Sequence, residues 1–297
     1  MTNRYASPEA FKSAIEQRLR NLAARDGRDL TRLRQLLVFD RFLARVFQQF
    51  GDAMVLKGGL ALEMRLRRAR TTRDVDLRVA SSTHLLQLLQ AAGRLELDDF
   101  LMFLIEPDAH YPDIEAEGLL YGGRRFRAEA RLAGKLYGQA FHVDVAIAEP
   151  FTGNPDRLSG QDWLGFVGQA PTEFLVYPRL THLAEKLHAY SLPRTRPNSR
   201  VRDLPDIALL AGIGPLDAGE LRHAFADTFA RRATHPLPTH IEDPPETWGS
   251  VYERIATVDE LRWRTMADLL EAVRSLLNPV LQGQAGSWDP ALWAWRS

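Results

Sequence analysis

The segment "AMVLKGGLALEMRLRRARTTRDVDLRV", residues 53–79, restricts the fold more than any other stretch. A short apolar run ends on Lys57 and two glycines, and a helical pattern follows them. The run from Asp74 to Val79 then alternates with period two. It places Val75, Leu77 and Val79 on one face and Asp74, Asp76 and Arg78 on the other. A strand tolerates two carboxylates near a core only where water or a counter-charge neutralises them. Strand, glycine turn, helix and acidic strand together predict a mixed α/β unit with a carboxylate pair on its sheet.

The neighbouring sequence extends that unit. "RRFRAEARLAGK" alternates cleanly, with Phe126, Ala128, Ala130 and Leu132 inward and Arg125, Arg127, Glu129 and Arg131 outward. "LDDFLMFLIE" and "AFHVDVAIAE" read as further strands, so residues 53–147 form the sheet-bearing part. Two helices are expected before it. The first has Ser7 as N-cap and Pro8 at its first position; the second carries a broad apolar stripe from Leu33 to Phe47 and stops at Gly51. "SSTHLLQLLQAAG" predicts a helix that starts at its serines and ends before Gly93. Beyond residue 178 the pattern turns helical, between proline-rich loops. The expected organisation is an α/β domain over 1–165 and a mainly helical domain over 166–297, with the Trp-rich tail packed on the body.

Composition excludes some chemistry. With no cysteine among 297 residues, the chain makes no disulfide and no thiolate metal site. No apolar run approaches a membrane span, and the N-terminus lacks a signal core. A soluble, cytoplasmic protein is the expectation. The balance of 38 basic and 38 acidic residues hides segregation. Residues 1–50, 57–78, 119–135 and 179–202 are arginine-rich, and residues 94–117 carry most of the counter-charge. Such a chain can present a basic groove while staying neutral, although arginines on helix faces more often simply meet water.

Residues i and i+2 of a strand point to one face roughly 6–7 Å apart. Asp74 and Asp76 are therefore spaced to share divalent cations, and Asp144 in "FHVDVAI" offers a third carboxylate if its strand lies alongside. Oxygen ligands of this kind suit Mg²⁺, and paired ions about 4 Å apart serve phosphoryl transfer. Each part has a plain reading alone: a solvated edge strand, a strand end, a turn. In this order they point to metal-dependent phosphoryl or nucleotidyl chemistry, with the glycine amides and the following helix start facing a triphosphate.

A second set lies in "LTHLAEKLHAYSLPRTRPNSRVRDLPDIALL". Leu180, Leu183 and Leu187 form the buried stripe, while Lys186 lies towards the other side as a mobile charge for phosphate. His182 and His188 are expected on the helix surface. Asp203 is placed as an N-cap, which leaves Asp206, three residues on, as the functional candidate. Arg200, Arg202, Arg231 and Arg232 are candidate phosphate or RNA contacts.

With these residues in view, the chain resembles the AbiEii/MenT family of nucleotidyltransferase toxins, and the mycobacterial-type members in particular. "LKGGLALEMR", "TTRDVDL", "FHVDVAI", "LAEKLHAY", "RVRDLPDIALL" and "FARRATHPLP" carry the resemblance over residues 55–238. It implies a nucleotidyltransferase-like (polymerase β-like) mixed-sheet domain followed by a mainly helical one that completes the cleft. It implies Mg²⁺, or Mn²⁺, on Asp74 and Asp76, with Asp144 less regular in relatives. Gly58, Gly59 and Leu60, flanked by Lys57, would bind the nucleotide with Arg73 and Arg232, and Lys186 and Asp206 would be essential. The implied reaction moves a nucleotide from an NTP, CTP or UTP foremost, to the 3′ end of a tRNA or other small RNA. A cognate antitoxin and a monomeric state are expected; modification of a protein hydroxyl, or a non-catalytic binding module, are the alternatives. Two departures stand out. Leu60 replaces the hydroxyl residue that many relatives have after the second glycine, and Thr71 and Thr72 set two hydroxyls beside Asp74. Phosphorylation of Thr72 would place about two negative charges against the metal site.

Overall fold

The computed structural model describes residues 5–66, 72–81, 83–114, 122–194 and 200–296. Helix α1 (Pro8–Asp26) opens at Ser7, whose hydroxyl accepts from the Ala10 amide at 3.2 Å. Helix α2 (Leu30–Phe50) opens at Asp29 and ends at Gly51. Strand β1 (Met54–Lys57) leads directly into α3 (Gly58–Leu66), and β2 (Val75–Val79) returns antiparallel to β1. Helix α4 (Leu85–Gly93) precedes β3 (Leu101–Pro107), β4 (Gly123–Leu132), the short β5 (Lys135–Leu136) and β6 (Phe141–Ile147). Strands β7 (Asp156–Ser159) and β8 (Glu173–Val176) complete the sheet.

Among the described residues the strand order is β3-β4-β6-β2-β1-β8-β7, with β5 beside β4. The pairs β2·β6 and β1·β8 are parallel and the rest antiparallel, which makes the sheet mixed. One face is apolar and packs against α1 and α2, through Phe39, Phe42, Val75, Leu77, Phe126, Ala128, Val143 and Val145. The alternation in the sequence dictates this, because each of those strand residues sits two positions from the next on its own strand.

The sheet continues past the 165/166 division expected from sequence, since β8 lies beyond it and contributes Phe174 and Val176 to the first core. The second core begins with α5 (Arg179–Ser191) and gathers α6 (Asp203–Ala211), α7 (Ala218–Arg232), α8 (Trp248–Val258) and α9 (Met266–Leu281). Leu62 of α3 belongs to this second core, so α3 is wedged between the two. The tail docks as expected. Trp288 is fully buried and donates to the Ala211 carbonyl at 3.0 Å, while Trp293 and Trp295 donate to carbonyls of α9.

Helix α4 differs from the sequence expectation at both ends. Ser81 and Thr83 hydrogen-bond to each other rather than cap it, and the helix starts after His84, which adopts φ 55°. It also includes Gly93, where a β-carbon would come within 2.5 Å of the Phe103 carbonyl oxygen.

Candidate active site

The pairing registers build a row of charges across the sheet. Lys57 of β1 faces Asp76 of β2, Asp76 faces Asp144 of β6, and Asp144 faces Arg125 of β4. Directly paired residues share a face, so two carboxylates lie side by side between two cations. Burial and the neighbouring Asp144, with a smaller push from Asp74, raise Asp76 to about 6 against the pull of Lys57 and Lys186. Asp76 therefore senses residues from β1, β6, the 72–74 segment and α5 at one point. Gly58 sits beneath it with φ +66°, a backbone region that glycine enters freely. Its amide and that of Gly59 open helix α3, where orphan N–H groups favour anions.

Asp74 lies just before β2 with a half-exposed side chain, 3.4 Å from His142 Nδ1. Asp144 is different. Arg125 grips both of its oxygens at 2.7 Å, because the two residues are register partners on adjacent strands. Asp144, expected as a third metal ligand, is thus already held in an ion pair with Arg125. Among the described residues no group of three or more His, Asp or Glu stands together as a ready-made metal site. Asp74 and Asp76 nonetheless fit a hard cation in donor chemistry, as oxygen ligands that form no ion pair with Arg or Lys among the described residues.

Helix α5, which packs into the second core, brings Lys186 to this point. Its ammonium lies 2.9 Å from Asp203 and 2.8 Å from Asp206, both buried. Asp203 does not cap α6, as expected from its position; it is the first helical residue, and its side chain turns to Lys186. His182 and His188 are also corrected. Both are buried rather than on the surface, because α5 is packed against α6 and α7. Burial, assisted by Lys186, lowers His182 to about 3, and neither of its ring nitrogens has a hydrogen-bond partner among the described residues. His188 is likewise lowered to about 3 by burial, and its Nε2 lies 2.8 Å from Thr234 Oγ1.

Two acidic residues that sequence reasoning did not select complete the arrangement. Glu149 is 1% exposed and pairs with Lys57, with Arg232 at 3.0 Å and with the Tyr177 hydroxyl at 3.0 Å. Glu185 pairs with the same two cations, Lys57 at 3.6 Å and Arg232 at 3.3 Å. Lys57, Glu149, Arg232 and Glu185 thus close a ring that ties the sheet to α5 and α7. Glu149 directly follows the apolar run of β6, and a carboxylate at the end of a buried strand implies a buried partner. That was the available signal. Arg231, expected beside Arg232 as a phosphate contact, instead pairs with Asp227 and Thr152.

Leu60 buries its side chain in the first core, which leaves only its backbone amide for a phosphate. Thr72 is buried as well, and its backbone is clamped on both sides. Arg32 donates to its carbonyl at 2.7 Å, its amide donates to Glu63 at 3.4 Å, and Arg32 and Glu63 pair with each other. The silencing route through Thr72 phosphorylation therefore needs this segment to open first; Thr71 lies outside the described residues. Arg73 is not with the glycine turn. It lines a cleft of about 690 Å³ on the Asp74 side, together with Arg28, Arg32 and His142. Asp259 and Glu260, at the end of α8, line the same cleft. A smaller hollow of about 120 Å³ lies by Lys57, Asp76, Asp144 and Glu149.

Comparison with known proteins identifies the family. The family model "Nucleotidyl transferase AbiEii toxin, Type IV TA system" matches residues 41–290. No curated protein matches the chain. Among solved structures, MenT4, a nucleotidyltransferase toxin from Mycobacterium tuberculosis H37Rv, superposes with TM-score 0.60 and 19% identity over 92% of each chain. At that identity the likeness is one of fold. JHP933 from Helicobacter pylori aligns with TM-score 0.41 and 16% identity, over 76% of this chain and 93% of its own.

Proposed function

Because the chain belongs to the AbiEii family of nucleotidyltransferase toxins, we propose that it transfers a nucleotide from CTP or UTP to the 3′ end of a small RNA, tRNA foremost. The observation that carries this reading is the convergence on Asp76 of Lys57, Asp74, Asp144 and Lys186, above the amides that open α3. A triphosphate needs that combination of cations and N–H donors, and a nucleotidyl transfer needs carboxylates at its reacting phosphate.

Asp74 and Asp76 would hold Mg²⁺, or Mn²⁺, which when bound supplies charge neutralisation at the reacting phosphate. The chain does the rest. Gly58 and Gly59 receive phosphate oxygens on their amides. Lys186 and Lys57 balance the triphosphate charge, with Arg232 held close by Glu149 and Glu185. Asp203 and Asp206 fix the direction of Lys186. The 3′ oxygen then forms its bond to the α-phosphorus as pyrophosphate leaves from the opposite side. Extending an acceptor end would block aminoacylation and arrest growth, which accounts for a toxin and calls for a cognate antitoxin. We place the protein in the cytoplasm as a monomer; among the described residues no helix is long and apolar enough to cross a membrane.

Incubating total RNA with each α-labelled NTP and Mg²⁺ tests the reading. A labelled small-RNA band with CTP or UTP supports it. Label on protein would favour transfer to a protein hydroxyl, and a purine donor would overturn the assigned base.

A further inference from the structure

The donor and the acceptor can be assigned to different sides of the carboxylate pair. In-line displacement puts the attacking oxygen and the leaving pyrophosphate on opposite sides of the α-phosphorus. The groups suited to the triphosphate all lie on the Asp76 side: the Gly58 and Gly59 amides, Lys57 and Lys186. None of them lines the large cleft, which opens at Asp74 instead. We infer that this cleft, walled by the α1–α2 turn, is the acceptor site and receives a single-stranded RNA 3′ end; the inference rests on the transfer to RNA proposed above.

The cleft has the right size and is built before any ligand arrives. About 690 Å³ is enough to enclose a terminal nucleotide, within the roughly 300–1,000 Å³ range of pockets that take small molecules. Arg32 fixes the wall to the floor. From α2 it reaches both Glu63 of α3 and the Thr72 carbonyl, two residues before Asp74. The 72–74 segment is thereby held against the α1–α2 turn.

The cleft is lined by charges of both signs. Arg28 and Arg73 stand on the side of the turn and of Asp74, while Asp259 and Glu260 stand at the end of α8. A nucleic-acid strand has matching polarity, with phosphates for the arginines and base amino groups for the carboxylates. His142, between Asp74 and Asp108, adds an aromatic ring near the reacting end. The family model matches only from residue 41 onward, so the turn at 27–32 lies outside it. The turn-side wall of the acceptor cleft is therefore a part of the chain that the family pattern does not fix.

Two measurements on one set of variants test this. The probe for binding is 5′-fluorescein-labelled bulk tRNA, oxidised with periodate so that it cannot be extended. Its affinity is read by anisotropy, without NTP. The second measurement is the KM of the NTP in transfer to intact tRNA. Arg28→Glu is expected to weaken tRNA binding at least tenfold and to leave the NTP KM within about twofold. Thr31→Glu, at an exposed position on the same wall, carries the same expectation should Arg28→Glu fail to fold. Unchanged tRNA affinity in folded variants overturns the inference, as does a raised NTP KM with normal tRNA binding. Wild-type protein that labels no RNA would instead overturn the proposed function itself.

Discussion

Asp76 rests its carboxylate over the α-carbon of Gly58, so that a β-carbon at position 58 would stand 2.6 Å from Asp76 Cγ and closer still to Oδ2. The glycine turn and the acidic strand are one unit. The conformation that exposes the α3 amides also makes the space in which Asp76 sits.

Gly58→Ala should therefore displace Asp76 before it unfolds the protein. Strain at φ +66° together with the clash is expected to cost about 1–3 kcal/mol, a drop of several degrees in melting temperature. Nucleotide transfer should fall at least about a hundredfold, because misplacement near 1 Å is that costly to positioned chemistry. Melting curves and initial rates on the same preparation check both figures.

Lys186→Met should leave two buried carboxylates, Asp203 and Asp206, without their cation. Breaking a buried pair from one side costs about 3–5 kcal/mol. The double variant Lys186→Met with Asp206→Asn should recover part of that stability and none of the activity. Thermal melts of the single and double variants separate the structural role of Lys186 from its role towards phosphate.

Glu149→Gln removes the charge that holds Lys57 and Arg232 while keeping the side chain's size. Loosening these cations should raise the KM of the NTP about tenfold, equivalent to about 1.4 kcal/mol, and change kcat less. Steady-state kinetics give the split. Equal losses in kcat and KM would assign Glu149 to folding alone.

Asp40 sets a pH dependence remote from the site. Burial, opposed by Arg41, raises its carboxyl to about 7, and Oδ2 has no hydrogen-bond partner. The native state then binds more protons than the unfolded chain between about pH 4 and 7, so this group's contribution to stability falls as pH rises through that window. Asp40→Asn should raise the melting temperature at pH 8 relative to wild type and flatten the difference between pH 5 and 8. A scan of melting temperature against pH for both proteins measures it.

The sheet was legible because its strands alternate: the faces of β2, β4 and β6 follow from period two, and Asp76 and Asp144 lie on the predicted side. The cap at Ser7 was equally local. What the sequence did not show is what depends on the partner across a register or a helix interface. Asp144 reads as an unpaired strand carboxylate until Arg125 is found opposite it. His182 and His188 look exposed until α5 is enclosed on several sides. Glu149 and Glu185 meet the same two cations from positions 36 residues apart, which no spacing rule anticipates.

The central claim is that Asp74 and Asp76 direct a nucleotide onto an RNA 3′ hydroxyl. Its most direct test gives the purified protein α-labelled CTP or UTP, Mg²⁺ and two samples of one tRNA pool, one intact and one with its 3′ ends oxidised by periodate. The account predicts label on intact tRNA only, and none with Asp74→Ala or Asp76→Asn. Equal labelling of the oxidised pool, or undiminished transfer by either variant, would contradict it.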